Sequence, residues 1–101
     1  MRYGRTVSSL LAVVMAFGLV GIATAQSTIK VPIVVEVTGG GASVGAMWRD
    51  AVTMAIEEIN RKGGVLGAKL ETSVHDTQTD PPTSVAVMRR VLNDKPFAIF
   101  G

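Results

Sequence analysis

The chain has 101 residues, and 48% of them are hydrophobic. It contains no cysteine, which excludes disulfides and thiolate metal sites. The formal net charge is +2, but residues 1–25 hold two of the ten basic side chains and none of the eight acidic ones, so residues 26–101 carry no net charge. This balance gives no reason to expect binding to nucleic acids.

Residues 1–25 have the three-part pattern of a cleavable secretory signal peptide. Arg2 and Arg5 give a positive start, residues 10–23 contain no charged side chain, and an Ala-Thr-Ala segment ends at the expected cleavage site before Gln26. A membrane-spanning helix is the alternative, but it needs about 20 apolar residues, and this run has about 14. We expect export to the periplasm without a lipid anchor, because such an anchor requires a cysteine.

A run of β-branched residues over residues 29–37 predicts a strand that is covered on both faces. Pro32 argues mildly against a central place in a sheet, because proline cannot donate to the hydrogen-bond ladder. A glycine-rich turn follows at residues 38–43, and apolar residues at helical spacing predict a helix over about residues 44–62. The predicted buried face of this helix consists of Met47, Ala51, Val52, Ala55, Ile56 and Ile59.

Residues 69–75 alternate between apolar and polar side chains, which predicts a half-exposed edge strand. Asp80 and Pro81 form a helix start, in which a side-chain cap is followed by proline, and the helix extends to about residue 93. The apolar residues 97–100 begin a third strand. The predicted buried face of the second helix consists of Val85, Met88, Val91 and Leu92.

The predicted fold class is α/β, with the element order β-α-β-α-β and a parallel sheet, because crossover connections of this kind are right-handed. If the second strand is at the edge, the first strand lies between the other two, and the strand order is 2-1-3. The sheet then has a topological switch point beside the end of the first strand, where open α/β sheets bind ligands. The glycine-rich turn is expected to form one wall of that crevice.

The glycine-rich turn fails both common nucleotide-binding patterns. The G-x-G-x-x-G pattern that begins at Gly39 reaches Val44 where it requires glycine. The phosphate-loop pattern meets Ala46 and Met47 where it requires Lys and then Ser or Thr. The remaining feature is the N-terminus of a helix, whose free N–H groups suit a carboxylate.

Glu36 and Trp48 each permit two interpretations. Glu36 interrupts the apolar strand near its carboxyl end, so its carboxylate is either paired within the fold or points into the cleft and holds a ligand cation. Trp48, near the start of the first helix, either packs in the core or lines the cleft. His75, with Asp76 as its neighbouring acid, makes neither a metal site nor a catalytic triad, and we expect Asp76 and Asp80 to cap the turn and the second helix.

Two segments carry a family resemblance. The sequence E-E-I-N-R-K-G-G-V-L-G-A-K-L at residues 57–70 and the sequence D-T-Q-T-D-P at residues 76–81 resemble the leucine/isoleucine/valine-type solute-binding proteins of ABC transporters. The resemblance covers essentially all of residues 28–101. It implies that residues 26–101 are the first part of the N-terminal lobe of a type I periplasmic binding protein, in which two α/β lobes close around a ligand.

The resemblance implies that the protein binds a small solute, an amino acid or a related small carboxylate or amide, and delivers it to an ABC permease in the membrane. It implies no enzymatic activity and no cofactor or metal. In that family the ligand carboxylate is typically held in the loop after the third strand, and some amino-acid binders have an aromatic residue where this chain has Val44. The candidate ligand-binding residues of this chain are Ser43, Val44, Trp48 and Glu36.

A ligand-sensing module that regulates a partner or receptor is the alternative function. A neighbouring permease gene would favour uptake, whereas a fused or adjacent signalling domain would favour sensing. A secreted enzyme would require a convergent set of acid, base and nucleophile, and the sequence does not provide one.

Overall fold

The structure of the protein is a computed structural model that describes residues 26–101. The predicted signal peptide, residues 1–25, lies outside the described residues. No helix within the described part combines the length and the apolar character that crossing a bilayer requires. The elements in chain order are β1 (Thr28–Lys30), β2 (Ile33–Val35), α1 (Ala42–Arg61), β3 (Lys69–Glu71), β4 (Val74–Asp76) and α2 (Pro81–Asn93).

The pairing of the strands confirms the parallel α/β prediction. Strand β1 pairs in parallel with β3, and β2 pairs in parallel with β4. Each of the two long strands that the sequence predicts is therefore a pair of three-residue strands separated by a two-residue interruption. The third strand is represented by one parallel bridge, between Ile33 and Phe100, so the strand order 2-1-3 stays a prediction.

Pro32 separates β1 from β2, but its neighbours keep the hydrogen bonds of the parallel sheet. On one side of the strand, the N–H of Val31 donates to Glu71 at 2.8 Å, as the N–H of Ile33 does to Ser73. On the other side, the carbonyl of Pro32 accepts a hydrogen bond from the N–H of Phe100 at 3.0 Å. The side of the backbone on which proline lacks an N–H therefore faces residues 97–100. The hydrogen bonds to the second strand are unaffected.

Residues 31–35 of the first strand are buried on both faces, as its composition predicts, whereas Thr28 and Lys30 of β1 are exposed. Ile33 is 0% exposed and Val34 is 8% exposed. Val34 packs against Val87 and Val91 of α2. Because successive side chains of a strand point to opposite faces, Val35 points away from α2, toward the side on which α1 packs.

The predicted buried faces of the two helices are partly wrong. In α1 the buried residues are Gly45 and Ile56, whereas Met47 is 67% exposed. In α2 the buried residues are Val87 and Val91. Each helix has apolar residues on more than one face, so the sequence pattern alone does not determine which face the strands contact. In α1 the strands contact the face of Gly45, where a Cβ would lie 1.8 Å from the carbonyl oxygen of Glu36. The predicted core residues that are exposed are Met47, Ala51, Ala55, Ile59, Val85, Met88 and Leu92.

The start of α2 is as predicted. Asp80 occupies the N-cap position, and its carboxylate accepts hydrogen bonds from the N–H of Thr83 at 2.9 Å and from the hydroxyl of Thr83 at 2.6 Å. These bonds, with the hydroxyl contribution largest, hold the pKa of Asp80 below its usual value. Pro81 occupies the first helical position, where a backbone N–H would have no acceptor within the helix, so the absence of this group in proline costs no helical hydrogen bond.

Asn60 ties the C-terminal end of α1 to β3. Its side-chain amide donates to the carbonyl of Leu70, and its side-chain oxygen accepts from the N–H of Leu70, both at 2.8 Å. The ammonium of Lys69 donates to the backbone carbonyl of Asn60, also at 2.8 Å. Gly64 follows with φ 82°, and a Cβ there would lie 1.9 Å from the carbonyl oxygen of Ala68, so this position requires glycine.

Candidate functional site

An open pocket of about 470 Å³ lies at the carboxyl end of β2, beside the first turns of α1. This is the edge of the sheet where the sequence predicts the cleft. Its walls are mostly apolar, and its one ionisable side chain is that of Glu36. The lining residues are Val35, Glu36, Val44, Gly45, Met47, Trp48, Ala51 and Gly101.

Three of the four predicted site residues line this pocket. Trp48 is 49% exposed and Val44 is 61% exposed, so neither side chain belongs to the core. Glu36 is half-buried at the base of the pocket. Ser43, in the first turn of α1, is exposed and is not among the lining residues.

Gly45 brings the start of α1 against the end of β2. A Cβ at this position would lie 1.8 Å from the carbonyl oxygen of Glu36, which is far inside van der Waals contact. Gly45 is not among the site residues that the sequence predicts. A glycine inside a helix costs about 1 kcal/mol relative to alanine, so its presence there is the signal that could have revealed the close approach.

Glu36 lies against the N-terminus of α1 as well as in the pocket. Its Cγ is 2.5 Å from the position that a Cβ on Gly41 would occupy. Gly41 is the N-cap of α1 and provides no side-chain cap, and the first turn of α1 contains no acidic residue. A carboxylate is favourable at this end of a helix, because the first N–H groups have no intrahelical acceptors and carry partial positive charge.

Asp76 connects the end of β4 to the glycine-rich turn. Its Oδ1 accepts hydrogen bonds from the N–H groups of Val37 at 2.9 Å, Thr38 at 3.2 Å and Gln78 at 2.8 Å. Its Oδ2 accepts from the hydroxyl of Thr38 at 2.6 Å. The hydroxyl of Thr38, with the backbone donors, holds the pKa of Asp76 below its usual value, although partial desolvation acts in the opposite direction. The expected capping role of Asp76 is confirmed.

Thr79 adds a second connection to the same turn. Its hydroxyl oxygen accepts from the N–H of Gly41 at 3.0 Å and donates to the carbonyl of Thr38, also at 3.0 Å. Thr79 is not among the residues that the sequence predicts for the site. The contact joins residues that are 38 and 41 positions apart, so no local pattern could have indicated it.

His75 lies away from the pocket. Its Nε2 and the hydroxyl of Ser73 are 2.8 Å apart. It also borders a smaller cavity of about 100 Å³ with the oppositely charged side chains of Lys30 and Glu71. Within residues 26–101, no group of three or more His, Asp or Glu side chains is arranged to hold a metal ion.

Comparison with known proteins gives consistent relatives. A family model described as a periplasmic binding protein matches residues 28–101. The chain is 42% identical over 87 residues to the leucine-, isoleucine-, valine-, threonine- and alanine-binding protein of Pseudomonas aeruginosa, with 86% of this chain and 23% of that protein covered. It is 36% identical over 86 residues to the Leu/Ile/Val-binding protein of Escherichia coli K12, with 85% and 23% covered.

Solved structures agree with these relatives. The branched-chain amino acid transporter substrate-binding protein of Streptococcus pneumoniae, in complex with isoleucine, has a TM-score of 0.72 and 26% identity, with 74% of this chain and 22% of that chain covered. The fatty acid ABC transporter substrate-binding protein of Thermomonospora curvata has a TM-score of 0.66 and 36% identity, with 72% and 18% covered. The chain spans about 23% of the length of the curated relatives described above.

Proposed function

The chain belongs to the periplasmic binding protein family, and on that premise we propose that it forms part of the solute-binding component of an ABC uptake transporter. Residues 26–101 would be part of the N-terminal lobe, after a signal peptide at residues 1–25. The protein would bind a small solute between two lobes in the periplasm and deliver it to a membrane permease. The relatives are named as binding proteins, which supports a role without covalent chemistry.

The observation that carries this proposal is the position of the apolar pocket at the carboxyl end of β2. Its rim exposes large apolar side chains, with Met47 67% exposed and Trp48 49% exposed. An exposed apolar patch of this kind marks a surface that a ligand or another protein segment covers. Closure of a second lobe over the pocket would bury both side chains against the solute.

The chemistry of the lining favours a solute with a cationic group and an apolar group. Glu36 is the one carboxylate in the pocket, and it can pair with an ammonium group. Val44 and Trp48 offer apolar surface beside it. We therefore propose an amino acid as the preferred solute class, with related small carboxylates and amides as weaker candidates. Its carboxylate would be held outside the described residues or by the first turn of α1.

A ligand screen on the intact secreted protein tests the proposal. The panel comprises the twenty amino acids, their amides, the matching 2-oxo acids and a medium-chain fatty acid, and the readout is the melting temperature. A solute at one hundred times its Kd stabilises the folded state by about 2.7 kcal/mol. We expect amino acids to raise the melting temperature more than the matching 2-oxo acids. If no member of the panel raises it, the proposed function is wrong.

Matched variants then locate the site by calorimetry. Trp48→Ala should weaken binding about tenfold or more, whereas Met54→Ala should not, because Met54 lies on α1, is 68% exposed and does not line the pocket. Glu36→Gln should reduce the preference for an amino acid over its 2-oxo acid, and Glu57→Gln on the exposed side of α1 is its control. Equal affinities for Trp48→Ala and Met54→Ala would exclude this pocket as the site.

A further inference from the structure

Two loops meet behind the pocket. One is the segment between β2 and α1, which contains the glycine-rich turn, and the other is the end of β4 with the loop that leads to α2. Five hydrogen bonds cross between them, from Val37, Thr38 and Gly41 to Asp76 or Thr79 and from Thr79 back to Thr38. We refer to these bonds as the Asp76–Thr79 junction.

The junction contains strained backbone. Gln78 and Thr79 have φ values of 59° and 57°, so two consecutive residues that are not glycine adopt the left-handed region. This conformation is unfavourable for L-residues, and especially so for β-branched threonine. Such strain persists where the surroundings impose it, and it is concentrated at functional sites. In this left-handed conformation the Thr79 hydroxyl bonds both the N–H of Gly41 and the carbonyl of Thr38.

The bonded groups of the turn lead directly to the pocket. Gly41 is the N-cap of α1, and its carbonyl accepts hydrogen bonds from the N–H groups of Val44 at 3.1 Å and Gly45 at 3.0 Å. Both of these residues line the pocket, and so does Glu36, whose side chain lies against Gly41. A displacement of the turn would therefore move three lining residues together.

From this geometry we propose that Asp76 and Thr79 are positioning residues for solute binding: they fix the glycine-rich turn and thereby the first turn of α1 at the pocket. The inference rests on the proposed function, because it assigns the junction a role in that same site. Neither residue lines the pocket, so each acts on the solute through the backbone that it bonds: Thr79 through Gly41 and Thr38, and Asp76 through Val37 and Thr38.

A pair of variants at one position isolates the hydroxyl. Thr79→Ser and Thr79→Ala both relieve the strain of a β-branched side chain, and they differ from each other by one oxygen atom. Thr79→Ser should bind solute as tightly as the wild-type protein, whereas Thr79→Ala should bind about threefold to tenfold more weakly, because the solute would have to order a turn that one or two hydrogen bonds otherwise hold in the free protein. Asp76→Ala should weaken binding further, and Asp94→Asn, an exposed carboxylate after α2, is the control.

Hydrogen exchange in the protein without solute provides the second measurement. The amides of Val44 and Gly45 report on the turn because both donate to the carbonyl of Gly41. In Thr79→Ala they should exchange about threefold faster or more than in Thr79→Ser, a larger change than at the Val91 amide of α2, which reports the accompanying loss of overall stability.

The outcomes separate this inference from the proposed function. If the wild-type protein binds a solute and the two Thr79 variants bind it equally well, the positioning role is wrong and the proposed function stands. If no solute binds the wild-type protein, the proposed function is wrong, and the exchange rates decide whether the junction fixes the start of α1. If Asp76→Ala does not fold, the comparison at Thr79 still decides the question.

Discussion

Substitution of Gly45 by alanine tests the contact that brings α1 to the pocket. The new Cβ would lie 1.8 Å from the carbonyl oxygen and 2.6 Å from the carbonyl carbon of Glu36. Since favourable non-bonded separations start at about 3.5 Å, the start of α1 would have to retreat by roughly 1.7 Å. The clash involves the backbone of a strand end, so no side-chain rotation can relieve it.

The expected cost follows from two opposing contributions. Overpacking of a close contact costs about 1–3 kcal/mol, and a backbone clash belongs at the upper end of that range. Replacement of glycine by alanine inside a helix stabilises the helix by about 1 kcal/mol. We expect Gly45→Ala to destabilise the protein by about 2 kcal/mol net and to weaken solute binding, because Val44 and Trp48 would move with the helix.

Urea unfolding of the purified protein measures this effect, with two control variants. Ala46→Gly, at the neighbouring position of the helix, should cost about 1 kcal/mol from helix propensity. Gly40→Ala should change stability by less than about 0.5 kcal/mol, because a Cβ there has no neighbour within 4 Å. An increase in stability of about 1 kcal/mol for Gly45→Ala, the value from propensity alone, would refute the close approach.

Three further predictions concern the fold. The hydrogen bonds that lower the pKa values of Asp76 and Asp80 stabilise the folded state at pH values above the unfolded pKa of about 3.9. This stabilisation is lost as the pH falls through the pKa values of the folded state. In the double variant Asp76→Asn/Asp80→Asn, stability should therefore fall less between about pH 5 and pH 2 than in the wild-type protein. Melting temperatures measured across this pH range check the prediction, and the same slope for both proteins would contradict it. Asp80→Ala should lower the melting temperature by a few degrees while Asp94→Ala does not, and equal melting temperatures would show that the cap does not contribute. Val91→Ala should cost about 2 kcal/mol and Leu92→Ala less than about 0.5 kcal/mol, because Val91 is 2% exposed and Leu92 is 55% exposed. If urea unfolding showed a larger loss of stability for Leu92→Ala than for Val91→Ala, the buried face of α2 would be the one that the sequence pattern predicts.

The sequence predicts the elements whose signals are local. The β-branched run before the glycine-rich turn, the Asp80 cap and the glycines after α1 each act within a few residues, and the structure has an element boundary at each. Helix rotation is not local. Met47 and Ile56 are equally apolar in the sequence, but only Ile56 is on the face that approaches the strands, because Gly45 lies on that face.

The candidate site was accessible to sequence reasoning for a related reason. Glu36 directly follows β2, and Val44 and Trp48 are in the first two turns of the helix that comes next, so the order of elements alone brings them to one edge of the sheet. Their role in binding stays a prediction. The contacts of Asp76 and Thr79 with the turn cross 38 or more residues, and a single sequence contains no sign of them.

The bonds from Asn60 to Leu70 have a consequence for association between molecules. In β3 the carbonyl of Glu71 and the N–H of Lys69 bond toward the first strand, so the peptide groups of Leu70 face the other side of β3, where none of the described strands pairs with it. An unpaired strand edge is a template onto which a second chain can add its own strand. Because the carboxamide of Asn60 already occupies both groups of Leu70, a foreign strand cannot pair with the central residue of β3 unless Asn60 first releases it.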